Sequence, residues 1–132
     1  MKLLQFYKKY QGKVIDDWGC YNSDESKQMA KDFKSVLRTE LKSQDAEIIG
    51  FKSNHYDFSG FVKINNKTVY ISYSINRHCP TNLDSENCME GFLIRTAKDE
   101  NDYRGGANWF SNLSGIIPTI NNLIKQEHKP CF

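Results

Sequence analysis

The spacing of apolar side chains changes abruptly near residue 45. Over residues 24–43 they recur at helical intervals and form one stripe of Met29, Phe33, Val36, Leu37 and Leu41. Farther along they alternate with polar residues, as at Val69, Ile71, Tyr73 and Ile75. A helical period followed by an alternating one predicts a long amphipathic helix packed on half-buried strands, which is an α+β fold.

Residues that cap helices set the ends of the first two predicted helices. Ser23 caps the long helix over residues 24–43, and Asp24 and Glu25 place negative charge at its N-terminus, where the helix dipole favours it. Residues 2–11 have the spacing of a shorter helix that stops before a glycine. Both helices therefore precede the alternating part of the chain.

Four strands are predicted between the long helix and a C-terminal helix, over residues 46–53, 56–64, 69–75 and 91–98. Residues 65–67 (Asn-Asn-Lys) form a tight turn, since Asn tolerates the positive φ that such turns require. The C-terminal helix has Ser114 as its cap and Pro118 in its first turn. We therefore expect one domain over residues 1–132, an antiparallel four-stranded meander with the long helix packed across it and a C-terminal helix.

The charge balance of the chain is nearly even. Its 18 basic and 16 acidic residues give a net charge of +2, so a basic binding surface would have to come from clustering. The opening MKLLQFYKKY lacks the apolar centre of a signal peptide, and no apolar run is long enough to cross a bilayer. We expect a cytoplasmic protein with no membrane partner.

Few residues have the spacing of a catalytic or metal site. His78, Cys79 and Cys88 are three soft ligands in one loop, but zinc sites usually combine closely spaced pairs from two places. The acidic residues at 99–102 are predicted to be solvated carboxylates of a turn. The sequence contains no nucleophile elbow, phosphate-binding loop or dinucleotide fingerprint. We expect no catalytic residue, no metal and no cofactor, and a small enzyme is only the third of three hypotheses.

Five cations follow one line along the predicted long helix. At about 100° per residue they fall together, roughly a third of a turn from the apolar stripe; they are Lys27, Lys31, Lys34, Arg38 and Lys42. Such a row suits a phosphate backbone or an acidic groove on a protein partner. The alternative is a solvated helix face whose charges are supported by neighbours such as Asp24.

The stretch SGFVKI, residues 59–64, resembles the second half of the strand motif of RNA-recognition-motif domains. The match covers Gly60, Phe61 and Val62. The resemblance implies a strand whose aromatic side chain stacks on bases. A hairpin follows this stretch, however, where that family has a helix, which favours a core strand with Phe61 or Val62 inward.

Residues 91–110, GFLIRTAKDENDYRGGANWF, have two interpretations. In the first they are a strand and a connection, with Trp109 and Phe110 folded back as an apolar anchor. In the second they present a protein-binding patch, because Arg, Tyr and Trp are enriched among interface residues that dominate binding energy. The members of that patch are Lys98, Tyr103, Arg104 and Trp109.

Part of this stretch, residues 93–110, resembles a segment of small uncharacterised proteins from phages and other mobile elements of low-GC Gram-positive bacteria. The resemblance implies a context in which compact inhibitors of host machinery, anti-CRISPR proteins among them, are common. It assigns no activity and no functional residue.

These observations favour a non-enzymatic binding protein that occludes a macromolecular partner. Its sharpest form is an inhibitor of a bacterial defence nuclease, which would bind a protein within a nucleic-acid-processing complex. The second hypothesis is direct nucleic-acid binding through the basic side of residues 24–43.

Overall fold

The computed structural model describes residues 1–15, 23–54, 57–76, 78–103 and 106–127. Within these ranges the chain forms three α-helices and five strands. The helices are α1 (Leu3–Tyr10), α2 (Asp24–Glu40) and α3 (Ile116–Leu123). The strands are β1 (Glu47–Asn54), β2 (Asp57–Ile64), β3 (Lys67–Ser74), β4 (Phe92–Ala97) and β5 (Trp109–Ser111).

The strands form one antiparallel sheet in the order β1-β2-β3-β4-β5. This confirms the α+β class and the meander, but the expected number of four strands is wrong. The fifth strand runs from Trp109 to Ser111 and pairs with β4 through Ile94 and Phe92. Three residues are too few to show alternation, so only the backbone pairing with β4 reveals this strand.

The predicted helix ends are partly right. Ser23 caps α2, and its hydroxyl oxygen accepts the Ser26 backbone N–H at 3.1 Å. The α-helix stops at Glu40 and is followed by a 3-10 turn over Lys42–Gln44, so it is shorter than residues 24–43.

The expected Ser114 cap of the C-terminal helix is wrong. The Asn112 side chain accepts the Gly115 N–H at 2.8 Å and begins a 3-10 turn over Leu113–Gly115, after which α3 starts. Asn is as good an N-cap as Ser, and it stands two residues earlier in the chain.

An aromatic core joins α2 to one side of the sheet. Phe33 of α2 lies 5.1 Å from Phe92, 5.3 Å from Phe58 and 5.4 Å from Phe51, measured between ring centroids. Since side chains alternate along a strand, the residues between these core positions point to the opposite side. We call the side that α2 covers the helix face and the other the open face.

One turn and one β-bulge explain why particular residues occur in the sheet. The β2–β3 turn has positive φ at Asn65 (50°) and Asn66 (64°), as predicted. In β1 a bulge places Gly50 at φ 85° and Phe51 at φ 62°. The bulge lays the Phe51 ring against Gly60, where an added Cβ would be 2.5 Å from the ring. Gly60 is thus explained by packing within the chain.

A buried carboxylate ties α1 to α2. Asp32 accepts hydrogen bonds from the Lys9 ammonium (2.7 Å), the Tyr10 hydroxyl and the Gln28 amide (2.9 Å). Its burial raises the carboxyl pKa, but the three hydrogen bonds outweigh burial and leave the pKa below its usual value. Both oxygens of this carboxylate therefore accept hydrogen bonds from side chains of the same chain.

Candidate binding surfaces

The basic row lies where the sequence places it, on the outer side of α2. Lys27, Lys31 and Arg38 are exposed and Lys34 is half-buried. Lys42 is also exposed, but it belongs to the 3-10 turn that follows α2. The structure therefore presents four cations on one helix and a fifth just beyond its end.

The basic row has no internal counter-charge in the described part of the chain. The two ion pairs found there are Lys9–Asp32 and Lys63–Glu100, and neither includes a member of the row. The pKa of Lys34 is lowered by its partial burial and then by the nearby charges of Arg38 and Lys52. Lys52 belongs to β1, so a cation of the sheet adds to the positive potential around the basic row.

The second predicted patch is divided by the sheet. Tyr103 lies on the open face, where its ring packs against Phe61 at 5.3 Å and Tyr70 at 6.0 Å. Trp109 is paired with Ile94, a core residue, and so lies on the helix-face side. Arg104 lies outside the described residues, and Lys98 is exposed at the start of the β4–β5 connection.

Trp109 and Phe110 do not form the expected apolar anchor. Trp109 is 48% exposed and Phe110 is 37% exposed, because the strand they belong to is an edge strand. Trp109 instead lines an open cleft of about 450 Å³ with Thr96, Ala107, Gln126 and Glu127. The lining combines the Trp109 ring with the Thr96 hydroxyl, the Gln126 amide and the Glu127 carboxylate.

The connection after β4 is built from local turns. The Asp99 carboxylate accepts the Asn101 N–H at 2.8 Å, and the Asp102 carboxylate accepts the Lys98 N–H at 2.9 Å. Glu100 pairs with Lys63 of β2 at 3.2 Å, and its pKa is lowered by a backbone hydrogen bond and by that ammonium. These carboxylates are turn-forming groups, as their sequence context predicts.

Gly106 allows the connection to return to the sheet. Its φ is 88°, and an added Cβ would lie 2.4 Å from the carbonyl oxygen of Thr96. Both observations require glycine at this position. The segment therefore closes tightly against the end of β4.

Phe61, the aromatic residue of the RNA-recognition resemblance, is not presented to solvent. It points to the open face, while Val62 enters the helix-face core. Phe61 is only 1% exposed because Tyr70 and Tyr103 pack on it. A base therefore has no free surface of this ring on which to stack.

The loop that precedes β4 carries two free, exposed thiols, Cys79 and Cys88. Across the described ranges, no three His, Cys, Asp or Glu side chains are grouped as metal ligands. Among the helices described, none is both long and apolar enough to span a membrane.

Arg95 is the site residue that sequence reasoning did not single out. It lies on the open face of β4, is 9% exposed, and places its guanidinium carbon 4.2 Å from the centre of the Tyr70 ring. Its Nε and Nη2 atoms are buried, and no described residue accepts a hydrogen bond from either of them. The available signal was a single charged residue inside the otherwise apolar strand FLIRTA.

Comparisons of the chain with protein-family models, with curated proteins and with solved structures found no match.

Proposed function

We propose that this protein is a non-enzymatic binding protein that covers an anionic surface of a macromolecular partner with the basic row of α2. The observation that supports this is the uncompensated charge of the row. The Lys34 pKa is lowered by partial burial and by the nearby Arg38 charge, and no acidic side chain in the described chain is paired with either residue. Self-repulsion of this kind costs stability, and an anionic partner would relieve it.

The sharper form of the proposal is an inhibitor of a bacterial defence nuclease, of the anti-CRISPR kind. It is supported by the resemblance of residues 93–110 to phage and mobile-element proteins, together with the basic row. Such an inhibitor would act by occupying a groove or subunit interface of the nuclease, without turnover. The partner in this form is a protein.

Direct nucleic-acid binding is the second candidate, and the spacing of the row favours it. Lys27 and Arg38 are eleven residues apart on one helix, a separation of roughly 16 Å at 1.5 Å per residue. A straight row of that length can follow several phosphates of one strand. This candidate predicts affinity that falls steeply with salt and needs no protein partner.

The test is a charge reversal in the middle of the row. We expect Lys31→Glu, Lys34→Glu and Arg38→Glu together to reduce partner recovery at least tenfold in a tagged pull-down from a low-GC bacterial lysate. The matched control is Lys8→Glu, Lys67→Glu and Lys125→Glu, which changes the net charge equally but leaves the row intact. Equal recovery by the two variants would contradict the proposal.

Nuclease treatment of the same lysate separates the two candidates. A stoichiometric protein that stays bound after treatment supports the occluding binder and identifies its target. Recovery that collapses with nuclease supports direct nucleic-acid binding and rejects the inhibitor form.

A further inference from the structure

Arg95 is a buried cation whose charge is not balanced by any of the residues that the structure describes. The residue is 9% exposed, and both Nε and Nη2 are without an acceptor among the described residues. A guanidinium stays protonated in proteins, so Arg95 cannot escape burial by losing its charge. Buried charges are normally paired, because an unpaired one costs several kcal/mol. The missing acceptor therefore points to a group from outside the described chain.

The two unpartnered nitrogens define the shape of that group. Nε–H and the neighbouring Nη2–H run side by side along one edge of the guanidinium plane. This edge binds two oxygens of one anion at once, as in Arg–carboxylate and Arg–phosphate pairs. Tyr70 contacts the guanidinium carbon from its ring at 4.2 Å. The Nε and Nη2 atoms are themselves buried, so an anion reaches this N–H edge only when a neighbouring side chain moves aside.

The surroundings distinguish between the two kinds of anion. The nearest lysine in the sheet register, Lys63, is already paired with Glu100, so among the described residues Arg95 is the one unpaired cation at the site. Phe61 and Ala97 beside it are buried apolar side chains, 1% and 4% exposed. A phosphate group carries more charge and more acceptor oxygens than this site can match, whereas a carboxylate is satisfied by one guanidinium edge.

We propose that Arg95, Phe61, Tyr70 and Tyr103 form a binding site for a small carboxylate whose carboxyl group adjoins an apolar or aromatic group. Arg95 binds the carboxylate through Nε and Nη2, the Tyr70 and Tyr103 rings contact the apolar part, and Phe61 is the buried ring beneath them. We call this set the Arg95 site. A mostly apolar lining with one oriented polar group is the usual composition of small-molecule sites.

Tyr103 is the entry point of the Arg95 site. It is the outermost of the three rings: 62% of the residue is exposed, although its edge rests on Phe61 and Tyr70. Tyr103 lies outside the paired strands, so we expect its side chain to rotate away from the Tyr70 ring without a change in strand pairing. An exposed aromatic side chain changes rotamer within nanoseconds, so entry does not need a slow conformational change.

The Arg95 site is independent of the proposed function. The basic row lies on α2, which packs on the helix face, whereas the Arg95 site is on the open face. Reversal of the row leaves the Arg95 site unchanged, and substitutions at Arg95 leave the row unchanged. Failure of either idea is therefore distinguishable from failure of the other.

The experiment uses the full chain with benzoate as the carboxylate probe. Benzamide is the uncharged probe of the same shape, and inorganic phosphate at equal ionic strength is the competing anion. We expect benzoate to bind saturably in isothermal titration calorimetry and to raise the Tm, because a ligand that binds only the folded state stabilises it. Benzamide and phosphate are expected to do neither.

Variants test the role of each group. Arg95→Met should abolish benzoate binding and should leave the Tm without benzoate unchanged or higher, since it removes an unpaired buried charge. Tyr103→Ala should weaken benzoate about 3- to 10-fold, the value of one aromatic contact. If Arg95→Met does not fold, Arg95→Lys keeps the charge without the paired N–H edge and should lose binding while remaining folded.

Three results would overturn the proposal. The first is absence of saturable benzoate binding to the unaltered chain. The second is equal benzoate binding by Arg95→Met or Arg95→Lys, which would show that the N–H edge is not used. The third is preferential binding of phosphate, which would reject the carboxylate assignment.

Discussion

Two charged side chains are buried to nearly the same degree in this protein, but they differ in their hydrogen-bond partners. Asp32, between α1 and α2, is 8% exposed and accepts hydrogen bonds from three side chains. Arg95, on the open face of the sheet, is 9% exposed, has two nitrogens without an acceptor, and contacts an aromatic ring. Each charge lies beside an aromatic side chain, Tyr10 for Asp32 and Tyr70 for Arg95, so the difference lies in the hydrogen-bond partners.

The comparison separates a structural charge from a charge that is available to a ligand. Asp32 is complete without any other molecule, so its loss should affect folding. Arg95 is incomplete by the same standard, so its loss should affect folding little and ligand binding strongly. Substitutions at the two regions should therefore differ in the size of their effects on stability.

The largest effect is expected at Asp32. Asp32→Ala leaves the buried Tyr10 hydroxyl and the Gln28 amide without their acceptor, and should lower the free energy of unfolding by about 2–4 kcal/mol. Urea denaturation followed by circular dichroism measures this change. Lys9→Ala is the control, because that lysine side chain is 43% exposed and its loss should cost less than about 1 kcal/mol. If Asp32→Ala also costs less than about 1 kcal/mol, the hydrogen bonds to Asp32 do not stabilise the fold.

A smaller effect is expected when Asp32 is titrated. Its pKa is lowered in the folded chain, where the hydrogen bonds from Lys9, Tyr10 and Gln28 outweigh the effect of burial. The stabilisation is therefore fully present above the unfolded aspartate pKa of about 3.9, and is lost as pH falls through the lower folded value.

The comparison between the unaltered chain and Asp32→Asn isolates this term, because the other carboxylates titrate in both proteins. Between pH 5 and pH 2 the unaltered chain should lose more stability than the variant, measured as the shift of the urea midpoint. Parallel curves would show that Asp32 has an ordinary pKa.

The smallest effect is expected at the ion pair on the open face. Glu100 and Lys63 are both partly exposed, 40% and 32% for their side chains, so solvent screens their interaction. Glu100→Gln should change the free energy of unfolding by no more than about 0.5 kcal/mol. A cost comparable to that of Asp32→Ala would show that this pair, rather than local turn hydrogen bonds, holds the β4–β5 connection in place.

The fold was largely predictable because its signals are local. The stripe on α2, the two asparagines of the β2–β3 turn and the alternation in β3 each require only neighbouring residues. The short strand β5 was missed because it exists only through its pairing with β4. The cap expected at Ser114 was misplaced because Asn112, an equally good capping residue, caps the 3-10 turn that precedes α3, and the sequence does not choose between the two.

The candidate sites were less predictable, because most of them depend on contacts between residues that are distant in the sequence. The basic row depends only on helical spacing, and the sequence placed four of its cations on α2 correctly. The patch that joined Tyr103 and Trp109 depended on where the connection returns, and β5 places the two rings on opposite sides of the sheet. The isolation of Arg95 depends on which acceptors come near it in three dimensions, and no sequence period contains that information.

The bulge in β1 has a consequence for the behaviour of the protein at high concentration. β1 lies at one edge of the sheet, and the edge of a sheet is a template on which a strand from a second molecule can assemble. The left-handed conformations of Gly50 and Phe51 interrupt the regular order of donors and acceptors along this edge, and the exposed Lys52 follows them directly. The feature that accommodates an aromatic ring over Gly60 thus also protects the outer strand from edge-to-edge aggregation.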